Sequence, residues 1–250
     1  MTGNMKPSRS EPSFRFGSNF TQLGKRMLII YAVIYVIELL FEHWLKFPIV
    51  YQLMIYPFSS DGFRIWQIAT HPFIHNPTAP IGFLINCLVF YFFAAPVEYI
   101  LGTRRFLTLF YVAAAGGAVC GLVFSSVSGF SAPFMGMLPS LLALIVIFGL
   151  LNPEATILLM FILPVKAKYL SYGTIVITLL TFLAKANPHG AYHLGGILLG
   201  FIYFKGPNNL FDPKRIVAKY YEWQFNRKKS KFTVIDGHKN KKDDDKPTIH

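Results

Sequence analysis

The sequence predicts an all-α membrane protein, a six-transmembrane-helix bundle with cytoplasmic N- and C-terminal extensions. Three observations carry that prediction. Hydrophobic residues make up 53% of the chain and charged residues only 14%, against about 25% charge in an ordinary soluble domain. Residues 106–153 contain no Asp, Glu, Lys or Arg, enough for two spans of about 20 residues each. The Lys and Arg that do occur gather in alternate connections, as they do when one side of a membrane holds the basic loops.

Taken in order, residues 1–26 are polar and basic and read as a disordered arm ending in Lys25 and Arg26. Helices are expected near 27–44, 82–101, 105–125, 136–151, 168–184 and 190–204. The first apolar stretch carries Glu38 and lacks a small-x-small cleavage site, so it reads as an uncleaved first helix and not a signal peptide. Residues 156–163 are apolar but too few to span as a helix, and Pro164 stops them. A re-entrant or interfacial segment, partly extended, is expected there.

Basic residues fall in the arm, at Arg104 and Arg105, at Lys166 and Lys168, and through the C-terminal region. The intervening loops carry only Lys46, Arg64 and Lys185. Six spans with both termini cytoplasmic satisfy this distribution, in a plasma (inner) membrane. The net charge of +12 then marks a membrane face, and no nucleic-acid partner is expected. Residues 206–250 form a basic tail. Asp212-Pro213 is a good cap and first-turn pair opening a helix, KRIVAKYYEWQFNRKK, suited to anionic lipid headgroups or to a protein partner. A short strand at 232–235 and a disordered end follow. Cys87 and Cys120 sit within apolar segments at a spacing that suits neither a metal site nor a disulfide framework. No metal and no cofactor are expected.

Polar groups inside spans need a reason. Asn86 and Glu98 fall in the second predicted helix and His193 in the sixth, within AYHLGGILLG. Gly195, Gly196 and Gly200 follow His193, and GGAVCG (116–121) makes a similar small-residue face on the third helix. Taken singly, each polar residue is explained by hydrogen bonds between helices.

Together they resemble the rhomboid family of intramembrane serine proteases and their inactive relatives, over about residues 27–205. WQIATHPFIH (66–75) is similar to the family's W-R-x-x-T-x-x-F-x-H loop. Asn86, Leu88, Glu98, Gly102, Arg105 and Phe106 match its N-x-L…E-x-x-x-G-x-x-R-F segment. Asn152-Pro153 and ILPVKAKYL follow the fourth helix as they do in the family, and His193-x-x-Gly196-x-x-x-Gly200 matches the sixth-helix signature.

The resemblance implies a Ser–His dyad, since a serine hydroxyl is a weak nucleophile until a neighbouring base takes its proton. It also implies oxyanion donors, a His and an Asn in H-x-x-x-N on the second helix. His193 matches the base and Asn86 the asparagine donor, both vestigial if the dyad is broken. The position of the donor histidine holds Gly82, and His75 matches the earlier loop histidine. Anchored on Gly136 and on Asn152-Pro153, Gly136-Met137-Leu138-Pro139 overlies G-x-S-G. Leu138 then stands at the nucleophile position.

Ser140 follows two residues on, a rotation of about 200° and a rise of about 3 Å along a helix. It is expected to bond a carbonyl one turn back. The expectation is therefore a rhomboid-like pseudoprotease that binds transmembrane segments of client proteins. The alternative is an active serine endopeptidase using Ser140 with His193. A scaffold that only perturbs the bilayer has the same sequence requirements as the first reading.

Overall fold

The computed structural model describes residues 21–58, 60–130, 133–159, 163–185 and 188–206. The chain divides into two compact units, 1–206 and 207–250, and every described residue belongs to the first. Most of the expected basic arm and the whole tail, with its helix and strand, lie outside the described residues.

Eight helices and one hairpin follow in order among the described residues. α1 (Gln22–Leu39) starts five residues earlier than the hydropathy boundary at 27, because Thr21 caps it and accepts from the Gly24 amide at 3.1 Å. It runs on into a π turn, Leu40–Trp44. Two short helices, α2 (Ile49–Leu53) and α3 (Gln67–Thr70), and a 3₁₀ turn (His71–Phe73) lie in the long loop that follows. α4 (Pro80–Leu101) opens with proline, whose missing amide has no partner in a first turn, and ends at Gly102 with φ +78°. α5 is Thr103–Ser128, α6 Leu138–Leu151, α7 Ala167–Lys185 and α8 Pro188–Lys205.

Among the described residues, four helices are long and apolar enough to cross a membrane: Gln22–Trp44, Pro80–Leu101, Thr103–Ser128 and Ala167–Ala184. α6 is apolar but has only 14 residues, about 21 Å against a hydrocarbon core of about 30 Å. It is buried on most of its faces.

Residues 156–163 were expected to be partly extended. They form an antiparallel hairpin, β1 (Thr156–Leu159) with β2 (Leu163–Lys166), in which Ile157 faces Val165 and Leu158 faces Pro164. At its base Glu154 receives Lys166 at 2.7 Å and Lys168 at 2.5 Å. Lys166 and then Lys168 hold the Glu154 carboxyl down at about 2.

The most extensive helix–helix contact among the described residues is α5 against α8. A Cβ built on Gly116 would fall 2.8 Å from the Gly195 carbonyl, and one on Gly117 would fall 2.7 Å from the Tyr192 carbonyl. Only glycine lets two backbones approach so closely. A phenylalanine-rich core, with Phe90, Phe106, Phe110 and Phe148 fully buried, fills the space between α4, α5 and α6.

Glu98 joins three elements. Its carboxylate accepts from Thr21 at the start of α1 and from Thr103 at the start of α5, the latter at 2.8 Å. Arg105, which belongs to the same sequence motif, is exposed. Short hydroxyl donors from both threonines satisfy the acid without it.

Candidate functional site

Of the residues singled out by sequence, Gly136, Leu138 and Ser140 lie at or just before the first turn of α6, and Gly196 packs against that turn through Pro139. Gly136 precedes that turn with φ +93°, a conformation that side chains rarely adopt. Its amide donates to the His71 carbonyl at 2.8 Å and its carbonyl accepts from the Tyr192 hydroxyl at 2.9 Å. One glycine thus ties the 45–79 loop to α8. Phe134, two residues earlier, forms a two-bond bridge with Ile55 and stacks on Tyr192 at 5.1 Å.

The loop itself is ordered by polar side chains. Gln67, fully buried, accepts from the Arg64 amide at 3.0 Å and donates to the Gly62 carbonyl at 2.9 Å. Thr70 donates to the Leu53 carbonyl at 2.7 Å. Glu38, buried on α1, accepts from the His75 amide at 3.1 Å. Gln67 and Tyr192 were not singled out by sequence reasoning, and Glu38 was read only as a mark of an uncleaved first helix. The signal was present in WQIATHPFIH, where polar types are spaced too irregularly for one helix face.

His71 and His75 are buried, and each uses Nδ1 toward a backbone carbonyl, of Gln67 at 3.0 Å and of Phe73 at 3.1 Å. Their Nε2 atoms have no hydrogen-bond partner. Burial disfavours the imidazolium and pulls both rings down from 6.5 to about 4.

Within α6, Pro139 turns toward α8 and α5. A Cβ on Gly196 would lie 2.8 Å from the Pro139 Cα, and one on Gly117 2.9 Å from its Cβ. One turn on, a Cβ on Gly200 would lie 2.8 Å from the Ala143 Cβ. Pro139 with Gly196 and Ala143 with Gly200 make α6 and α8 parallel. His193, three residues before Gly196, therefore lies at the level of the residues just before Pro139.

Ser140 is fully buried and donates to the Phe110 carbonyl of α5 at 2.7 Å. The expected partner was a carbonyl one turn back on its own chain. The neighbouring helix supplies it instead, because residues 137 and earlier are not helical and offer no aligned carbonyl. His193 is half-buried, and among the described residues no hydroxyl donates to its ring.

Asn86 is half-buried on the face of α4 that carries Phe83 and Phe90. Gly82 is exposed, and a Cβ there would meet nothing closer than the Ala79 Cβ at 3.9 Å. Space for a side chain exists at that position, so packing does not account for the glycine. Leu138, the first residue of α6, is half-buried, as are Leu142 and Ile145 in the same helix. Spaced four and three residues apart, these make one stripe. It runs between Phe148, which packs on Phe93 of α4, and Gly149, which abuts Ala167 and Ser171 of α7. Farther along, α7 leaves α6: Phe182 meets Gly190 of α8 and Phe124 of α5.

A family model described as the Rhomboid domain matches residues 62–205, more than half of the chain. The chain belongs to the rhomboid family. Its matched segment begins within the loop that holds Gln67, His71 and His75 and ends at the close of α8. All of the rhomboid positions discussed above, from Asn86 to Gly200, fall inside it. Among curated proteins the chain has no match. No group of three His, Cys, Asp or Glu side chains able to hold a metal ion occurs among the described residues.

Proposed function

We propose that this rhomboid-family membrane protein is proteolytically inactive and binds transmembrane segments of client membrane proteins. The observation that carries the proposal is the division of labour along residues 138–140. By the motif, the residue where the family has its serine is Leu138, the next residue is a proline wedged against Gly196, and the hydroxyl of Ser140 is spent on the Phe110 carbonyl. Leucine carries no proton for His193 to accept, and loss of the nucleophile in a serine hydrolase removes a factor of about 10⁶ in rate. The half-buried apolar stripe Leu138, Leu142 and Ile145 of α6 is the surface that would receive a client helix. It offers apolar contact without a reaction centre, as binding without cleavage requires.

The proposal includes six spans, with α6 and α8 as the two short ones, and cytoplasmic termini in a plasma (inner) membrane. Support comes from where the helix packing brings the cations. α1 and α5 start beside Glu98, α8 ends beside the start of α5, and α7 starts beside the end of α6. Lys25, Arg26, Arg104, Arg105, Lys166, Lys168 and Lys205 thus share one end of the bundle, the pattern of a cytoplasmic face. The basic tail would add contacts to anionic headgroups.

The test is a fluorophosphonate probe and a transmembrane reporter, applied to full-length protein in a bilayer. The expected result is neither labelling nor cleavage. Labelling that maps to Ser140, with cleavage abolished by both Ser140→Ala and His193→Ala, would establish the serine endopeptidase reading in its place. Client binding is read by crosslinking a single-span helix to Leu142→Cys. Crosslinks confined to the α1 face would sink it.

A further inference from the structure

The start of α1 and the start of α5 meet at one carboxylate. Thr21 and Thr103 donate to different oxygens of Glu98, so the first turns of these two helices lie together at the close of α4. Each carries a pair of cations in or just beyond its first turn, Lys25 and Arg26 on α1 and Arg104 and Arg105 on α5. All four are exposed. Glu98 itself is buried, with both oxygens engaged. No other acid among the described residues serves this end: Glu154 is committed to Lys166 and Lys168, Glu38 and Glu42 lie at the far end of α1, and Asp61 is in the loop beyond it. Four cations against one carboxylate leave an excess of positive charge.

We propose that this cluster binds the phosphate of an anionic phospholipid, whose acyl chains run along the apolar surface beneath it. Charge complementarity calls for an anion, and the surface next to the cations selects an amphiphile. Ile29 and Ile30 follow Lys25 and Arg26 one turn on, along the same faces of α1, and are 62% and 48% exposed. On the last turn of α4, Tyr99 is 86% and Ile100 45% exposed. A charged rim above uncovered aliphatic and aromatic side chains matches a phosphate joined to hydrocarbon. A free phosphate or an acidic peptide would use the rim alone. The level fits as well, since α1 and α5 are both long and apolar enough to cross a membrane, which puts their first turns where headgroups stand.

Helix geometry aims these cations outward. Side chains lean toward the N-terminus of their helix, and for α1 and α5 that is the headgroup end. Lys205 closes α8 at the same end of the bundle but leans the other way, with its Nζ 5.7 Å from the centre of the Phe201 ring one turn back. It is not part of the site. Around α1, Lys25 falls about 40° from Thr21 and Arg26 about 140°; around α5, Arg104 falls about 100° from Thr103 and Arg105 about 200°. Lys25 and Arg104 are therefore the pair nearer to Glu98. The guanidinium offers a two-pronged fork to a phosphate and the ammonium a point charge, while Arg26 and Arg105 add attraction from the sides. The site is separate from the 206–250 tail and independent of whether the protein cleaves anything.

The experiment uses the full chain in phosphatidylcholine nanodiscs, in a Cys87→Ala, Cys120→Ala background with a fluorophore at Tyr99→Cys. A small fraction of brominated phosphatidylglycerol is included or, in a matched sample, the same fraction of brominated phosphatidylcholine. Quenching by the anionic lipid is expected to be several-fold stronger, and Lys25→Gln with Arg104→Gln should lower it to the level of phosphatidylcholine. A fluorophore at Leu180→Cys, exposed on α7, should show no preference. Wild-type protein in mixed micelles gives a reading that needs no substitution: phosphatidylglycerol should raise the unfolding midpoint where phosphatidylcholine and inorganic phosphate do not. Equal quenching by the two lipids at Tyr99 would overturn the proposal, as would the same preference at Leu180 or one that survives loss of Lys25 and Arg104. Displacement of the lipid by inorganic phosphate would also overturn it, being the mark of a soluble-anion site.

Discussion

Pro139 and Gly196 are in backbone contact across α6 and α8. A Cβ on Gly196 would come within 2.8 Å of the Pro139 Cα and carbonyl oxygen, and closer still to its Cβ. Gly117 receives the other edge of the ring, at 2.9 Å. The proline fills the slot between two glycine faces. Proline is tolerated because the second residue of a helix has no intrahelical acceptor for its amide. Its ring is a spacer between helices.

Two glycines close to that spacer should respond to alanine for different reasons. Gly196→Ala puts a methyl group against backbone atoms that cannot yield, so α6 and α8 must separate. Overpacking of this kind costs about 1–3 kcal/mol. Gly136→Ala meets only ordinary contacts, the nearest being the Ile74 carbonyl at 3.8 Å, but forces φ +93° on a residue with a Cβ, for about 1–2 kcal/mol. Unfolding in detergent should show both losses. Replacing Gly136 by Asn, which tolerates positive φ better than Ala, should recover part of its loss, while Gly196→Asn should be worse than Gly196→Ala.

Ser140→Ala separates a structural hydroxyl from a catalytic one. The Phe110 carbonyl keeps the bond its own helix provides, so the variant loses one buried hydrogen bond, about 0.5–1.5 kcal/mol. Stability should fall by that amount, with no change in a reporter-cleavage assay. A loss of cleavage with unchanged stability would contradict the geometry of the Phe110 bond.

Much of this arrangement was legible in the sequence, for reasons tied to particular residues. Charge-free runs long enough to span exposed the helices, and Pro164 with its short apolar neighbour exposed the extended hairpin. Gly136, Leu138 and His193 could be ordered because glycine and histidine inside apolar runs are conspicuous. The start of α1 was missed because Lys25 and Arg26 obscure a helix that Thr21 caps. Pro139 read as an oddity, since only the facing glycines of two other helices give it a partner. The bond from Ser140 to Phe110, the tie from Tyr192 to Gly136 and the two threonines on Glu98 join residues far apart in the chain. Local periodicity carries no information about such pairings.

Acid should loosen the 45–79 loop. His71 and His75 bind a proton at about 4 when folded, against 6.5 when unfolded. Above about pH 6.5 both states are neutral and the histidines contribute nothing to the pH dependence. Between about pH 6.5 and 4 the unfolded chain takes up protons that the folded one refuses, so stability falls by a few kcal/mol across that window and then levels off. Denaturant midpoints from pH 7 to pH 4 should show the decline. In His75→Gln the decline should be shallower than in wild type; an unchanged slope would mean that His75 does not carry it.

Glu98 sets the anchorage of α1. Its two carboxylate oxygens are shared between Thr21, which also caps α1, and Thr103, which opens α5. Hydrogen bonds to a charged acceptor contribute about 1.5–3 kcal/mol, and these two are the polar contacts that join the three helix ends. Glu98→Ala removes both at once and leaves Thr21 with only its local capping bond. The first turn of α1 should then fray, which exposes the backbone at Lys25 and Arg26 to trypsin while the rest of the bundle stays packed. The expected outcome is faster cleavage at those two residues than in wild type, with little change in cleavage at Arg104 and Arg105. Thr103→Ala, which spares the Thr21 bond, should fall between the two. Equal cleavage rates in all three proteins would show that the first turn of α1 is held by other contacts.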